Sequence, residues 1–171
     1  FEAENDIDVR IVAVGTGQAL RNAKKCDAEL VIVHSKIDEE KFVTDGFGSQ
    51  RHDLMYNDFI LVGPKNDPAQ IGTAKTTIEA FQKIAAAKAR FASRSDDSGT
   101  HKAERRFWQA ARTTPTDASG KWYLETGLGM GATLNFAVQA DAYALTDRAT
   151  WLTFKNKTTH MPLFQGDPAL F

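Results

Sequence analysis

Short apolar, β-branched runs alternate with stretches of helical periodicity along most of the chain. Val9-Arg10-Ile11-Val12-Ala13-Val14 is the first run and reads as a buried strand. Gly15-Thr16-Gly17 ends it, a helix begins at Gln18, and Ala28 to His34 predicts a second strand. Ser35 and Asp38 are candidate caps for a helix over Glu39 to Val43, which stops at Asp45-Gly46. Tyr56 to Pro64 predicts a third strand closed by Gly-Pro, and Lys65 to Thr73 a loop. A helix over Thr76 to Lys88 carries Ile78, Phe81, Ile84 and Ala85 at spacings of three and four. Ala89 to Ser93 predicts a fourth strand, and a helix resumes after Gly99 through Phe107, Trp108 and Ala111, before a break at Thr113 to Asp117. Trp122-Tyr123-Leu124, Gly129 to Val138 and Ala142 to Thr146 then read as strand, helix entered through glycines, and strand, while Trp151 to Phe171 is less regular. Strand, helix, strand, helix is the pattern of an α/β protein with parallel strands. Trp108, Trp122, Tyr123 and Phe136 fall at positions internal to these elements and are expected in the core.

Composition changes this picture little. The 171 residues are 42% hydrophobic and 25% charged, as in an ordinary globular protein of one domain or two small lobes. With 21 basic and 22 acidic residues the net charge is −1 and no basic stripe stands out, which argues against a nucleic-acid partner. Cys26 is the single cysteine, so an intrachain disulfide and a multi-Cys metal site are excluded, and a small buried filler is expected there. No apolar run approaches the ~20 residues of a membrane span. The acidic opening Phe1-Glu2-Ala3-Glu4-Asn5-Asp6 does not match the basic start of a signal peptide, as expected of a processed form or a fragment.

Candidate chemistry lies in three loops of one design, in which a strand ends, Gly, Ser or Thr follow, and a helix begins. They are Val14 to Gly17, Ser93 to Thr100, and Gly127 to Thr133. Helix N-termini present free amides and partial positive charge, glycine permits close approach, and Ser and Thr add hydroxyl donors. Such ends converging on a cleft suit a small oxyanion, although the same residues are ordinary caps and turn formers. The segment Ser93-Arg94-Ser95-Asp96-Asp97-Ser98-Gly99-Thr100-His101 is the richest. Arg94 offers a charged fork of donors, and Thr100 a hydroxyl and an amide at a helix start. Ser98 and Gly99 shape that start, while Asp96 and Asp97 suit a cap or a brace for Arg94. Asp147-Arg148 is a second charged pair at a strand end, readable also as a surface ion pair or a cap.

Catalysis is the weaker class. Asp97, Ser98 and His101 are too close in sequence for a hydrolase relay, and no Gly-x-Ser-x-Gly elbow occurs. Neither Walker spacing nor a third dinucleotide glycine is present, and the four histidines lack zinc spacing. The alternative is a small hydrolase or transferase using these loops as an oxyanion hole.

Taken in order, Val12 to Leu20, Met55 to Phe59, Ser93 to Lys102, Trp122 to Gly127, Gly129 to Asn135 and Leu145 to Arg148 resemble the tungstate-binding proteins of bacterial ABC importers. The resemblance runs over nearly the whole chain. It implies a type II periplasmic-binding-protein-like α/β fold, with two lobes around a ligand cleft and the first lobe incomplete here. Residues 1–60 are expected to form the partial first lobe, 61–155 the second, and 156–171 the start of a return. The implied function is capture of tungstate, with molybdate as a weaker ligand, for an ABC permease, in the periplasm or outside the cell and with a lipid anchor as one arrangement. No cofactor and no catalytic role is implied. Arg94 and Thr100 match the family's anion-contacting residues, and Ser35 a family serine; Ser98, Gly99 and Gly131 complete the expected ligand set. The family's earliest Thr/Ser-rich anion loop is expected before residue 1, and its returning segment after Phe171. The chain is therefore expected to be a piece of a longer protein or to be completed by a partner chain, with self-association following from truncation.

Overall fold

A computed structural model describes residues 2–55 and 57–171; Phe1, and Tyr56 of the predicted third strand, lie outside the described residues. The chain divides into two units, 1–51 and 52–171. The expected lobe boundary at residue 60 falls inside a strand of the second unit, and residues 160–164 pair within that unit's sheet.

The first unit contains α1 (Glu2–Asn5), α2 (Thr16–Lys24) and α3 (Lys36–Thr44). The strands expected at Val9 to Val14 and Ala28 to His34 are not formed among its described residues, and Ile11, Val12, Leu30 and Ile32 stand 69–85% exposed. The β-branched content of both runs is real, but a strand also needs a paired neighbour. Parallel strands are stable when both faces are covered, and two strands alone are marginal. Cys26 is exposed rather than buried: it follows α2 with φ +62, its N–H on the Ala23 carbonyl, so it ends the helix instead of filling a core.

The second unit holds β1 (Phe59–Pro64), α4 (Thr77–Ala87), β2 (Phe91–Ser93), α5 (Gly99–Ala110), β3 (Tyr123–Glu125), α6 (Met130–Gln139), β4 (Ala144–Asp147), α7 (Arg148–Thr153) and β5 (His160–Phe164). β1 runs antiparallel between β4 and β5, and β2 pairs with β3 in parallel. A parallel bridge from Phe91 to Tyr143 sets β2 beside the start of β4. Side chains alternate between two buried faces. Phe59 and Leu61 join Phe81, Phe91, Trp108 and Tyr123 of one cluster; Ile60 and Val62 join Met130, Leu134, Ala137 and Trp151 of the other. Helices on both faces explain why the strands read as apolar runs without alternation. The α/β expectation is met, but the expected parallel pairing holds only for β2 with β3 and the Phe91–Tyr143 bridge, since β1 is antiparallel to both its neighbours.

Three details depart from the sequence reading. Ile78 is 39% exposed, because Thr77, Ala80, Phe81 and Ile84 form the buried stripe of α4. Phe136 is 37% exposed, off the Met130, Thr133, Leu134, Ala137 face of α6. The irregular-looking tail contains β5, whose Pro162 is tolerated because the strand is at the sheet's edge and its register shifts between Leu61 and Val62.

Carboxylates fasten the unit's ends. Asp58 takes Arg148 Nε at 2.7 Å and Nη2 at 2.6 Å. Asp167 receives the Ala169 N–H through Oδ1 at 2.9 Å and the Thr77 N–H through Oδ2. The Arg148 hydrogen bond holds the Asp58 carboxyl below its ordinary 3.8, against the upward pull of burial. The Ala169 N–H does the same for Asp167, helped by Thr77. Both groups are more acidic folded than unfolded, so their stabilisation is present above 3.8 and is lost as pH falls through the folded values. Urea midpoints are therefore expected to drop from about pH 5 to about pH 3. Asp167→Asn should flatten that slope; an unchanged slope would remove Asp167 from the account.

Candidate functional site

β2 and β3 are parallel and in register, Ser93 opposite Glu125, so the loops after them leave from one edge of the sheet. One loop leads into α5 and the other into α6. Thr126 ties them together: its N–H and Oγ1 donate to the Ser93 carbonyl at 3.0 and 2.9 Å, and its Oγ1 lies 3.0 Å from Thr133 Oγ1. Strand ends followed by helix N-termini are where α/β folds bind ligands.

The 94–98 loop is tightly turned. Ser95 (φ +46) and Asp97 (φ +57) occupy the left-handed region, which costs about 1–2 kcal/mol for each such residue. Local bonds hold the turn. Ser95 N–H donates to Ser93 Oγ at 3.2 Å, and Ser98 N–H to Asp96 Oδ1 at 3.2 Å. Asp96 Oδ2 receives Arg94 Nε at 3.1 Å and Arg94 Nη2. Burial works to raise the Asp96 pKa, but hydrogen bonds from Ser98 and Arg94 outweigh it and hold the carboxyl below 3.8. The guanidinium is thus gripped along its Nε/Nη2 side. The Nη1/Nη2 edge is a two-donor fork suited to an oxyanion.

Ser98 caps α5, its Oγ accepting the His101 N–H at 3.2 Å. Gly99 and Thr100 contribute amides from the first turn, where the helix itself supplies no carbonyl. Thr100 is 1% exposed, and among the described residues its Oγ1 is a buried side-chain oxygen with no hydrogen-bond partner. A hydroxyl so placed costs about 1–3 kcal/mol until something pairs with it.

His101 Nδ1 accepts the Asp97 N–H at 3.1 Å. Burial, then Arg105, holds its pKa below 6.5 against the pull of Asp96, Asp97 and Glu125. The Ser98 oxygen and the His101 ring nitrogen thus each take a backbone amide, which makes them scaffold and gives the hydrolase reading no support. Among the described residues no group of three or more His, Cys, Asp or Glu is placed to hold a metal ion.

The structure brings Arg94, Ser98, Gly99 and Thr100 into one loop and helix start. Gly131 is the second residue of α6, exposed and with nothing within 4 Å of where a Cβ would stand. Ser35 occupies the N-cap position of α3 in the first unit, buried and without a capping bond. Asp147 caps α7 through the Thr150 N–H at 2.7 Å, and Arg148 is committed to Asp58, so that pair is structural.

Sequence reasoning missed Glu104. It lies on the buried face of α5 in the series Thr100, Ala103, Glu104, Phe107, Trp108, Ala111 and is 1% exposed. An acid on an apolar helical stripe was the available signal. Its Oε1 accepts Tyr123 Oη at 2.7 Å and Trp108 Nε1 at 3.2 Å, while Tyr123 Oη also lies 3.0 Å from Ser93 Oγ. Burial pushes the carboxyl up to about 7, and hydrogen bonds from Tyr123, Ser93, Trp108 and the Arg94 N–H hold it from rising further. Burial and the charge of Glu104 also raise the Tyr123 pKa, keeping its phenol a fixed donor.

The family model described as a PBP superfamily domain matches residues 1–170. The tungstate-binding protein TupA of Peptoclostridium acidaminophilum is 45% identical over 157 residues, covering 91% of this chain and 54% of that protein. The tungstate-binding protein TupA of Campylobacter jejuni is 34% identical over 174 residues, covering 99% of this chain and 64% of that protein. The chain thus spans between half and two thirds of the length of these relatives. The crystal structure of the tungstate ABC transporter from Geobacter sulfurreducens aligns with a TM-score of 0.84 at 49% identity, covering 96% of this chain and 70% of that one.

Proposed function

This chain belongs to the PBP superfamily, the periplasmic-binding proteins, and from that premise we propose that it captures tungstate, with molybdate as a weaker ligand, for an ABC importer. The α/β fold is that of the type II class. The observation that carries the reading is Thr100: a buried, unpartnered hydroxyl in the same loop and helix start as the Arg94 fork. Arg94, Thr100, the α5 amides shaped by Ser98 and Gly99, and the α6 start at Gly131 form the ligand set of the second unit. Tungstate relatives that match nearly the whole chain support the choice of anion.

Asp96 favours a fully ionised anion. Arg94 already occupies its Oδ2 twice and the Ser98 N–H its Oδ1, which reduces its capacity to accept the proton of hydrogen phosphate. The chemistry is capture and release without a catalytic step or cofactor. The partner is the importer's permease, and the place is the periplasm or the cell exterior. No helix among the described residues is long and apolar enough to cross a membrane.

Titration calorimetry with tungstate, sulfate and phosphate tests this. Tungstate is expected to bind in preference, and Thr100→Val to weaken it by about 10-fold or more while leaving the empty protein as stable or more so. Absence of tungstate binding, or equal affinity in Thr100→Val, would reject the assignment.

A further inference from the structure

We propose that Glu104 is the positioning residue of the anion site, fixing the Ser93–Ser95 backbone from beneath and so aiming the Arg94 guanidinium. This rests on the oxyanion reading above. The donors around Glu104 come from three elements. Tyr123 belongs to β3, Trp108 to its own helix, and Ser93, which bonds to Tyr123 Oη, to β2. α4 presents apolar Phe81, packed edge-on against Trp108 at 4.5 Å.

Tyr123 Oη and Trp108 Nε1 both point a hydrogen at the carboxyl, which suits its ionised form. Ser93 Oγ, bonded to Tyr123 Oη at 3.0 Å, receives the Ser95 amide at 3.2 Å. The Ser95 amide is thereby linked through Ser93 and Tyr123 to one buried acid. Ser95 holds φ +46, a conformation the chain keeps only when its surroundings over-determine it. Asp96 grips the guanidinium of Arg94, while Glu104 is tied through Tyr123 and Ser93 to the backbone of the next residue. The Glu104 pKa of about 7 gives the arrangement a signature, since the ionised form that fits the donors gives way to the protonated one as pH falls through neutrality. His101, with a pKa below 6.5, titrates lower, and Glu125, the other acid on β3, is exposed and bonded to Ser95 Oγ at 3.2 Å.

The test is tungstate calorimetry on the whole chain from about pH 8 to about pH 6 with wild type, Glu104→Gln and Glu104→Ala. Wild-type affinity is expected to fall toward pH 6. Glu104→Gln, close to isosteric, should bind about 10-fold more weakly at pH 8 and show little pH dependence, and Glu104→Ala should lose about 100-fold. Thermal melts and near-ultraviolet circular dichroism establish that the variants fold. If they do not, the wild-type profile decides together with the Trp108 indole signal, which should titrate near neutrality. Wild-type affinity in Glu104→Gln with the same pH profile, or a flat wild-type profile with a silent indole, overturns the proposal while leaving the functional reading intact. A wild type that binds tungstate at no pH overturns the functional reading, and this one with it.

Discussion

Arg94→Ala is expected to abolish tungstate binding at ordinary calorimetric concentrations, a loss of about 100-fold or more. Two effects add. The anion loses a charge-assisted fork, and Asp96 loses the cation that neutralises it, so that a carboxylate faces the incoming dianion. Asp96 keeps the Ser98 N–H, so the loop survives and the melting temperature should shift little. Adding Asp96→Asn to Arg94→Ala should recover part of the affinity by removing the repulsion, and Arg94→Lys should fall between because it keeps charge without the fork. Calorimetry on the four proteins checks this. Arg94→Ala binding as wild type does would show that the anion sits elsewhere.

Gly63→Ala is the substitution expected to damage the fold most. A Cβ at Gly63 would stand 2.4 Å from Tyr143 Cδ1, 2.7 Å from Cε1 and 3.0 Å from Leu163 Cδ1. The ring cannot swing away cheaply. Its hydroxyl donates to Asp67 Oδ1 at 2.7 Å and accepts the Ala69 N–H at 2.9 Å, and its backbone joins β2 through Ala92 N–H and Arg90 O. Overpacking of this kind costs about 3 kcal/mol, or about 10 °C in melting temperature for a unit of this size. Gly46, with nothing within 4 Å but φ +82, suffers only the backbone penalty and serves as the comparison. Equal melting temperatures for wild type and Gly63→Ala would mean that the Tyr143 anchor yields.

The second unit was largely legible because its strands are covered on both faces, so that Phe59-Ile60-Leu61-Val62 and Ala142 to Thr146 read as unbroken apolar runs. The 93–101 motif was legible because capping and anion binding call for the same residue types. In the first unit the same local signal at Val9 to Val14 and Ala28 to His34 misled. Strand formation depends on a partner across the ladder, which no local window contains. β5 was hidden by Pro162, an edge-strand residue that reads as a breaker when the sheet order is unknown. Glu104 was passed over because a single acid on a helix is usually solvated. Only the positions of its buried neighbours, Thr100, Ala103, Phe107 and Trp108, mark it as an inward-facing group.

The knot made by Thr126 on the Ser93 carbonyl has a consequence for how the site comes apart. Loops after separate strands ordinarily fray independently, each with its own opening free energy. Here the turn before α6 cannot lift without releasing the carbonyl at which the turn before α5 begins. The turns before α5 and α6 therefore open as one cooperative unit. An ion bound to either would stabilise both, and the entropy of ordering the pair is already lost when the sheet forms.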